Sequence, residues 1–282
     1  MKNFSLAFAF ILLLVAMHLN TFAQTSFNNS TLAYKIWEAT AGNPDTIDWS
    51  ASALDVSRNL IITGNTVTSN GLTNLLLTKY NQAGAQVWQV QYNHSYNNRD
   101  YGAAVVTDAS KNIYVAGTSV TSAANGYDFV VLKYDSNGNQ QWAKFYNGPG
   151  SSYDVATDLK RDVSGNIYVC GTSTGATTQL DYCTIKYNSS GVQQWASRYD
   201  YAGLTDVPAA ITIHSTGRIV VTGGSGSTFT NWDFATVKYN PFTGAQSGVN
   251  RVNSGGIGYD LPTAIAKDQY ENPLKNPVML RP

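Results

Sequence analysis

The stretch Lys133–Trp142, KYDSNGNQQW, recurs along the chain and decides its fold. A near copy, KYNSSGVQQW, occupies Lys186–Trp195, and a looser copy, KYNQAGAQVW, occupies Lys79–Trp88. A fourth version begins at Lys238 and keeps the glycine, but Gly248 stands where the other copies have tryptophan. The Lys-Tyr pair is expected to close one strand, and the polar run ending in glycine is typical of a tight turn. Each copy therefore predicts a β-hairpin.

The hairpin glycines recur at a nearly constant interval. They are Gly84, Gly138, Gly191 and Gly244, which lie 54, 53 and 53 residues apart. A second shared element precedes each hairpin, as in NIYVAG at Asn112–Gly117. An internal period of about fifty residues indicates a solenoid or a propeller.

Each repeat contains four segments with strand character. In the third repeat they are predicted at Val155–Asp162, Asn166–Thr172, Asp181–Tyr187 and Val192–Tyr199. Their residues follow a period-two pattern, and β-branched and aromatic residues are frequent, as expected for strands. Four antiparallel strands in a repeat of this length predict a β-propeller blade. The predicted fold class is therefore all-β, a β-propeller of four-stranded antiparallel blades.

The phase of the repeat sets the predicted boundaries. Residues 24–272 are predicted to form the propeller repeats, and residues 273–282 are a divergent tail in which the pattern stops. Trp37 lies 51 residues before Trp88, so an outer strand is expected at about 31–41. Four complete blades are predicted at about 48–98, 99–152, 153–205 and 206–258, with a partial fifth at 259–272. Because the fifth unit lacks its middle strands, we expect an open or truncated ring and a fragment of a longer protein.

Residues 1–23 are predicted to be a secretory signal peptide. Lys2 precedes the apolar run Leu6–Val15, and the segment ends in the small residue Ala23. The chain has 18 basic and 18 acidic residues, a balance that argues against nucleic acid or an anionic membrane surface as partner. No membrane span is predicted after removal of the signal. We expect the protein to be secreted, on the cell surface or in the periplasm.

The pattern D-x-x-x-x-K-Y followed by N-G-x-x-x-W resembles the SBBP-type β-propeller repeat of exported bacterial proteins. Asn74 and Gly248 depart from this pattern in the first and fourth repeats. The resemblance implies a propeller fold and an extracellular setting, and it implies no shared catalytic residue. The residues that match the motif in the second and third repeats are Asp128, Lys133, Tyr134, Gly138, Trp142, Asp181, Lys186, Tyr187, Gly191 and Trp195.

No catalytic constellation is recognisable in the sequence. His214 replaces the turn aspartate of the other repeats, and His94 lies in a polar loop with no partner indicated by the sequence. The run Asp135–Asn139 lacks the final glutamate of an EF-hand loop, so it is interpreted as a hydrogen-bonded turn. We therefore predict no catalytic, cofactor-binding or metal-ligating residue and no cofactor.

The two cysteines leave two alternatives open. Cys170 and Cys183 flank the connection between the second and third strands of one repeat, so they could face each other across a hairpin. In an oxidising compartment such a pair can form a disulfide. The alternative is two buried free thiols.

Several tyrosines fall near the connections between repeats. Aromatic rings among Asn and Asp are suited to stacking on sugars, and the alternative is that they fill the gaps between blades. These tyrosines are Tyr92, Tyr96, Tyr101, Tyr146, Tyr153, Tyr199 and Tyr201.

The sequence as a whole favours a non-enzymatic exported propeller, a scaffold or binding surface for an unknown protein or glycan. The alternative is a secreted polysaccharide-active enzyme, a lyase or hydrolase, whose site lies in the central channel or in a missing part of the chain. An enzyme requires charged residues that break the repeat on one face, and few are apparent in the sequence.

Overall fold

The structure is a computed structural model that describes residues 47–123, 126–228, 231–253 and 260–265. Within these ranges it contains sixteen β-strands and no helix. The predicted signal segment, the outer strand with Trp37 and the tail 273–282 lie outside the described residues. The strands are β1 Ile47–Leu54, β2 Leu60–Val67, β3 Thr73–Tyr80, β4 Gln86–Tyr92, β5 Asp100–Thr107, β6 Ile113–Ser122, β7 Gly126–Tyr134, β8 Gln140–Tyr146, β9 Asp154–Arg161, β10 Ile167–Thr174, β11 Leu180–Tyr187, β12 Gln193–Tyr199, β13 Asp206–Ile213, β14 Ile219–Thr228, β15 Asn231–Tyr239 and β16 Gln246–Val252.

The strands form four antiparallel sheets of four consecutive strands each, β1–β4, β5–β8, β9–β12 and β13–β16. We call these sheets blades 1 to 4. The prediction of an all-β fold with four-stranded antiparallel blades is confirmed. Of the predicted fifth unit, residues 260–265 are described and form no strand. The open ring remains a prediction.

Each blade packs its face against the next blade. Leu77 of blade 1 and Val115 of blade 2 belong to one buried apolar cluster. Val131 of blade 2 and Leu159 of blade 3 belong to a second cluster. A third cluster joins blades 3 and 4. The apolar positions of both sheet faces are therefore buried between blades, as the alternating β-branched pattern requires.

The hairpin motif joins neighbouring blades. In blade 2, Lys133 and Trp142 are cross-strand partners, and the same pairing occurs between Lys79 and Trp88 in blade 1. The indole Nε1 of Trp88 donates a hydrogen bond of 3.1 Å to the carbonyl oxygen of Ser136 in the blade 2 hairpin. Lys79 Nζ donates to the same carbonyl at 3.3 Å. The tryptophan and lysine of one blade thus hold the turn of the next.

Blades 3 and 4 repeat this contact. Lys186 Nζ and Trp195 Nε1 both donate to the carbonyl oxygen of Pro241, at 2.8 and 3.2 Å. Between blades 2 and 3, Gly191 lies against the Trp142 ring, and a Cβ added to this glycine would be 3.1 Å from the ring. Tyr134 and Tyr187, the tyrosines of the two full motifs, are buried. The recurring stretch therefore serves both hairpin formation and blade packing.

We predict that Gly138→Val lowers the free energy of unfolding by about 1 kcal/mol or more. Gly138 has a φ of +86°, which strains any side chain, and a Cβ there would lie 3.1 Å from the Trp88 ring. Gly71 has a similar φ of +78° with nothing within 4 Å, so Gly71→Val is the control for backbone strain alone. Urea denaturation should show a larger loss for Gly138→Val; equal losses would contradict the packing contact.

The register of blade 3 keeps the two cysteines apart. Both cysteines are buried free thiols. Cys170 lies opposite Thr184, and Cys183 lies opposite Gly171. Because neighbouring residues on a strand point to opposite faces, the two sulfurs lie on different sides of the sheet. Cys170 packs with blade 4 and Cys183 with blade 2, which corresponds to the alternative of two free thiols.

Candidate functional site

One end of the blades carries a row of aspartates. First and third strands begin at this end, and the connections between blades cross it. The register places a serine of the second strand between the two aspartates of a blade, as in Asp154, Ser173 and Asp181. The aspartates that begin first strands are Asp100, Asp154 and Asp206, and those near the start of third strands are Asp128, Asp181 and Asp233. All six are buried.

In blade 3, an arginine of the fourth strand pairs with one of these aspartates. Arg198 donates from Nη2 to Asp181 Oδ2 at 2.7 Å and from Nη1 to Ser173 Oγ at 2.5 Å. It also donates to the Ser173 carbonyl oxygen at 2.5 Å. The guanidinium therefore bridges the second and third strands, as its planar fork allows.

Blade 4 repeats the arrangement and blade 2 does not. Arg251 donates to Asp233 Oδ2 at 2.9 Å and also to Ser225 Oγ. In blade 2 the residue one position before the final tyrosine is Phe145 instead. Burial raises the pKa of Asp100, Asp128 and Asp154. Burial also raises the pKa of Asp206, to about 7.

An open cleft of about 300 Å³ lies at the same end, between blades 2 and 3. Three tyrosine rings dominate it, and they contact one another in sequence. The ring centroids of Tyr101 and Tyr127 are 6.3 Å apart, and those of Tyr127 and Tyr153 are 5.7 Å apart. Thr118, Val155 and two alanines complete the lining. We call this feature the tyrosine cleft.

The backbone holds the tyrosine cleft in place from both blades. Tyr127 N donates to the Ser152 carbonyl oxygen at 3.0 Å, and Tyr127 pairs with Tyr153 as a bridge between the blades. Arg99, which is exposed, hydrogen-bonds the Tyr127 side chain, and that contact raises the pKa of the guanidinium. The cleft thus combines apolar ring faces with hydroxyl and guanidinium donors.

The predicted aromatic residues divide into three groups. Tyr92 and Tyr199 are buried in clusters between blades, and Tyr146 packs against the cluster between blades 2 and 3, so these three fill gaps between blades. Tyr101 and Tyr153 line the tyrosine cleft, and Tyr153 is 44% exposed. The remaining two, Tyr96 and Tyr201, are exposed in connections between blades. Sequence reasoning missed Tyr127, which lies within a third strand and not in a connection.

The other candidates from the sequence occupy turns or loops. His214 Nδ1 accepts from Thr216 N in an exposed turn. His94 Nδ1 accepts from Tyr96 N, and its ring packs edge-on against Phe145. Asp135 Oδ1 accepts backbone hydrogen bonds from Asn137 and Asn139 at 2.9 Å, the geometry of a turn. None of these three lines the tyrosine cleft.

Comparison with known proteins supports the propeller fold. Residues 110–140 match a family described as a domain of unknown function (DUF5122) beta-propeller. These residues span the second and third strands of blade 2. No curated protein matches the sequence significantly. The propeller is thus supported, while the likeness to the SBBP-type repeat stays a prediction.

Solved structures that resemble the chain include the following three. A protein of unknown function from Dyadobacter fermentans has a TM-score of 0.50 at 8% identity, covering 74% of this chain; this chain spans 65% of that protein. An α-L-arabinofuranosidase from Fusarium graminearum has a TM-score of 0.52 at 10% identity, covering 82% of this chain and 74% of its own. An α-L-arabinanase from Penicillium chrysogenum, solved with arabinobiose, has a TM-score of 0.51 at 12% identity, covering 81% and 73%. At such identities the likeness concerns the fold.

The prediction that the chain is not an enzyme is wrong in the light of these structures. Two of the three are glycoside hydrolases with the same fold, so a propeller of this kind gives no ground for excluding catalysis. The described part of the chain has no helix with the length and apolarity of a membrane span. The chain is thus similar in fold to propeller glycosidases.

Proposed function

We propose that this chain is an exported polysaccharide-active enzyme that holds sugar rings in the tyrosine cleft. The observation that carries the proposal is the row of three tyrosine rings, Tyr101, Tyr127 and Tyr153, along one open cleft. The C–H face of a sugar packs against an aromatic ring, and its hydroxyls bond to polar groups at the rim. Arg99 and the tyrosine hydroxyls provide such groups.

The carboxylates nearest in sequence to the tyrosine cleft are buried and do not line it. Asp100 precedes Tyr101, Asp128 follows Tyr127 and Asp154 follows Tyr153, but all three are buried. Hydrolysis of a glycosidic bond requires two carboxyl groups that reach the substrate. The described cleft residues include no acid, so the tyrosine cleft is assigned to polymer binding and the reacting groups are not assigned to it.

We predict that Tyr127→Ala weakens binding of the recognised polysaccharide about 10- to 100-fold. Burying an aromatic side chain contributes about 1.5 to 3 kcal/mol, which corresponds to that range. The full chain, expressed for export, is screened against arabinan, xylan and polygalacturonate by affinity electrophoresis and by release of reducing ends. Tyr153→Ala should have a similar effect.

Tyr96→Ala is the matched control, because Tyr96 is 42% exposed but does not line the cleft. Its binding should equal that of the unchanged chain. If binding is unchanged in Tyr127→Ala and Tyr153→Ala, the polysaccharide does not bind in the tyrosine cleft. Failure to bind or cleave any glycan in a broad panel would overturn the proposed function.

A further inference from the structure

Three carboxylates converge where blade 3 meets blade 4. One oxygen of each of Asp181, Asp200 and Asp206 lies within 4.8 Å of the others. Asp181 comes from β11, Asp206 begins β13, and Asp200 lies in the connection between the two blades. Asp181 and Asp206 are buried, whereas Asp200 is exposed. The cluster therefore spans a blade junction and is open to solvent on one side.

The positive charge at this junction does not balance the carboxylates. Arg198 pairs with Asp181 Oδ2 at 2.7 Å. Arg251 pairs with Asp233 and is linked to Asp206 through Ser225, whose hydroxyl accepts from Arg251 and donates to Asp206 Oδ1. Asp206 is fully buried and Asp181 nearly so, and the exposed carboxylate of Asp200 lies at the same junction. Buried carboxylates in this number require a cation or a proton.

Two buried polar atoms at the junction lack partners within the described chain. Asp181 is 2% exposed, and its Oδ1 makes no hydrogen bond, although its Oδ2 accepts from Arg198 and Thr178. The hydroxyl of Tyr182, which is fully buried, also makes none. Tyr182 belongs to the buried cluster between blades 3 and 4. Unpartnered buried oxygens of this kind are rare in folded proteins.

We propose that Asp181, Asp200 and Asp206 bind a divalent cation of the calcium class between blades 3 and 4. Calcium takes carboxylate oxygens at about 2.3 to 2.6 Å and accepts irregular geometry completed by water. Three oxygens within 4.8 Å of one another can surround one such ion. A set of carboxylate oxygens without His or Cys favours an ion of the calcium class over zinc.

The repeat shows why the site belongs to this junction. Asp200 directly follows the tyrosine that ends a fourth strand, and the residues at that position in the earlier repeats are Asn93 and Asn147. At the junction of blades 2 and 3 the counterpart set is Asp128, Asn147 and Asp154, which has one carboxylate fewer. Asp200 is thus an acid that breaks the repeat on this face. A bound ion would join blade 3, the connection and blade 4.

The variant Asp200→Asn tests the site. Asparagine occupies this position in the other repeats, so the variant is expected to fold. The control is Asp48→Asn, because Asp48 is an exposed acid of β1 in blade 1, lies outside the cluster, and has Asn65 as its cross-strand partner. The full chain, expressed for export and then treated with a chelator, is titrated with calcium chloride by calorimetry. Its Tm is then compared with and without calcium or magnesium.

Calcium should bind the unchanged chain and Asp48→Asn at one site and raise Tm by about 5 °C or more at a hundredfold excess over Kd. In Asp200→Asn the affinity should fall at least tenfold and the Tm shift should be lost. Absence of calcium binding by the unchanged chain would overturn the proposal. So would an equal Tm shift in Asp200→Asn, or a response to magnesium alone.

Discussion

Replacing Arg198 by alanine is expected to lower the free energy of unfolding by about 3 kcal/mol or more. Arg198 donates to Asp181 Oδ2 and to both the hydroxyl and the carbonyl oxygen of Ser173. The Asp181 side chain is only 3% exposed, so truncation of the arginine leaves a buried carboxylate without its cation. Losing one partner of a buried pair costs more than the pair contributes. Urea denaturation in the presence of a chelator measures the loss.

Arg218→Ala is the control, because Arg218 is exposed in the turn between β13 and β14 and its loss should cost less than about 0.5 kcal/mol. In an Asp181→Asn background, Arg198→Ala should cost less than in the unchanged chain, because the uncompensated charge is gone. A small effect of Arg198→Ala alone would show that solvent, and not the guanidinium, compensates Asp181.

The blades could be predicted from the sequence because their signals are local. In blade 3 the predicted strands differ from the observed β9 to β12 by two residues or fewer at each end. Period-two alternation and turn glycines are signals contained in a single hairpin. Their recurrence in every repeat supports the prediction made for each blade. The glycine at Gly138 has the positive φ that the hairpin turn requires.

Contacts between blades could be predicted only in outline. The recurrence of Trp88 in the motif is visible in the sequence, but its acceptor, the Ser136 carbonyl oxygen, lies 48 residues away in the chain. The choice between the two cysteine alternatives stayed open for a similar reason. Cys170 and Cys183 are one position out of register across β10 and β11, and a single residue reverses the face to which a side chain points.

The candidate site is assembled from positions that no single repeat displays. The tyrosine cleft takes Tyr101 from β5, Tyr127 from β7 and Tyr153 from the residue before β9. The acidic cluster takes one residue from each of two blades and one from their connection. Asp200 could have been noticed as an acid among asparagines, but its neighbours Asp181 and Asp206 are repeated residues whose convergence is a property of the packed blades.

The burial of Asp206 is expected to make the chain less stable as pH rises. Its pKa is about 7 in the folded protein against an ordinary value of 3.8. Between these values the folded state retains a proton that the unfolded state has lost, so the free energy of unfolding falls with increasing pH. A shift of this size corresponds to on the order of 4 kcal/mol, present below about pH 4 and lost by about pH 8.

The variant Asp206→Asn isolates this contribution, because asparagine does not titrate. The difference in unfolding free energy between variant and unchanged chain should move in favour of the variant as pH rises from about 4 to 8. The other buried aspartates, whose pKa values burial also raises, cancel in that difference. Measurements in chelator report the carboxylates alone, and a divalent cation at the junction should flatten the slope because it takes the place of the proton. A difference that does not change with pH would mean that Asp206 is already ionised in the folded chain.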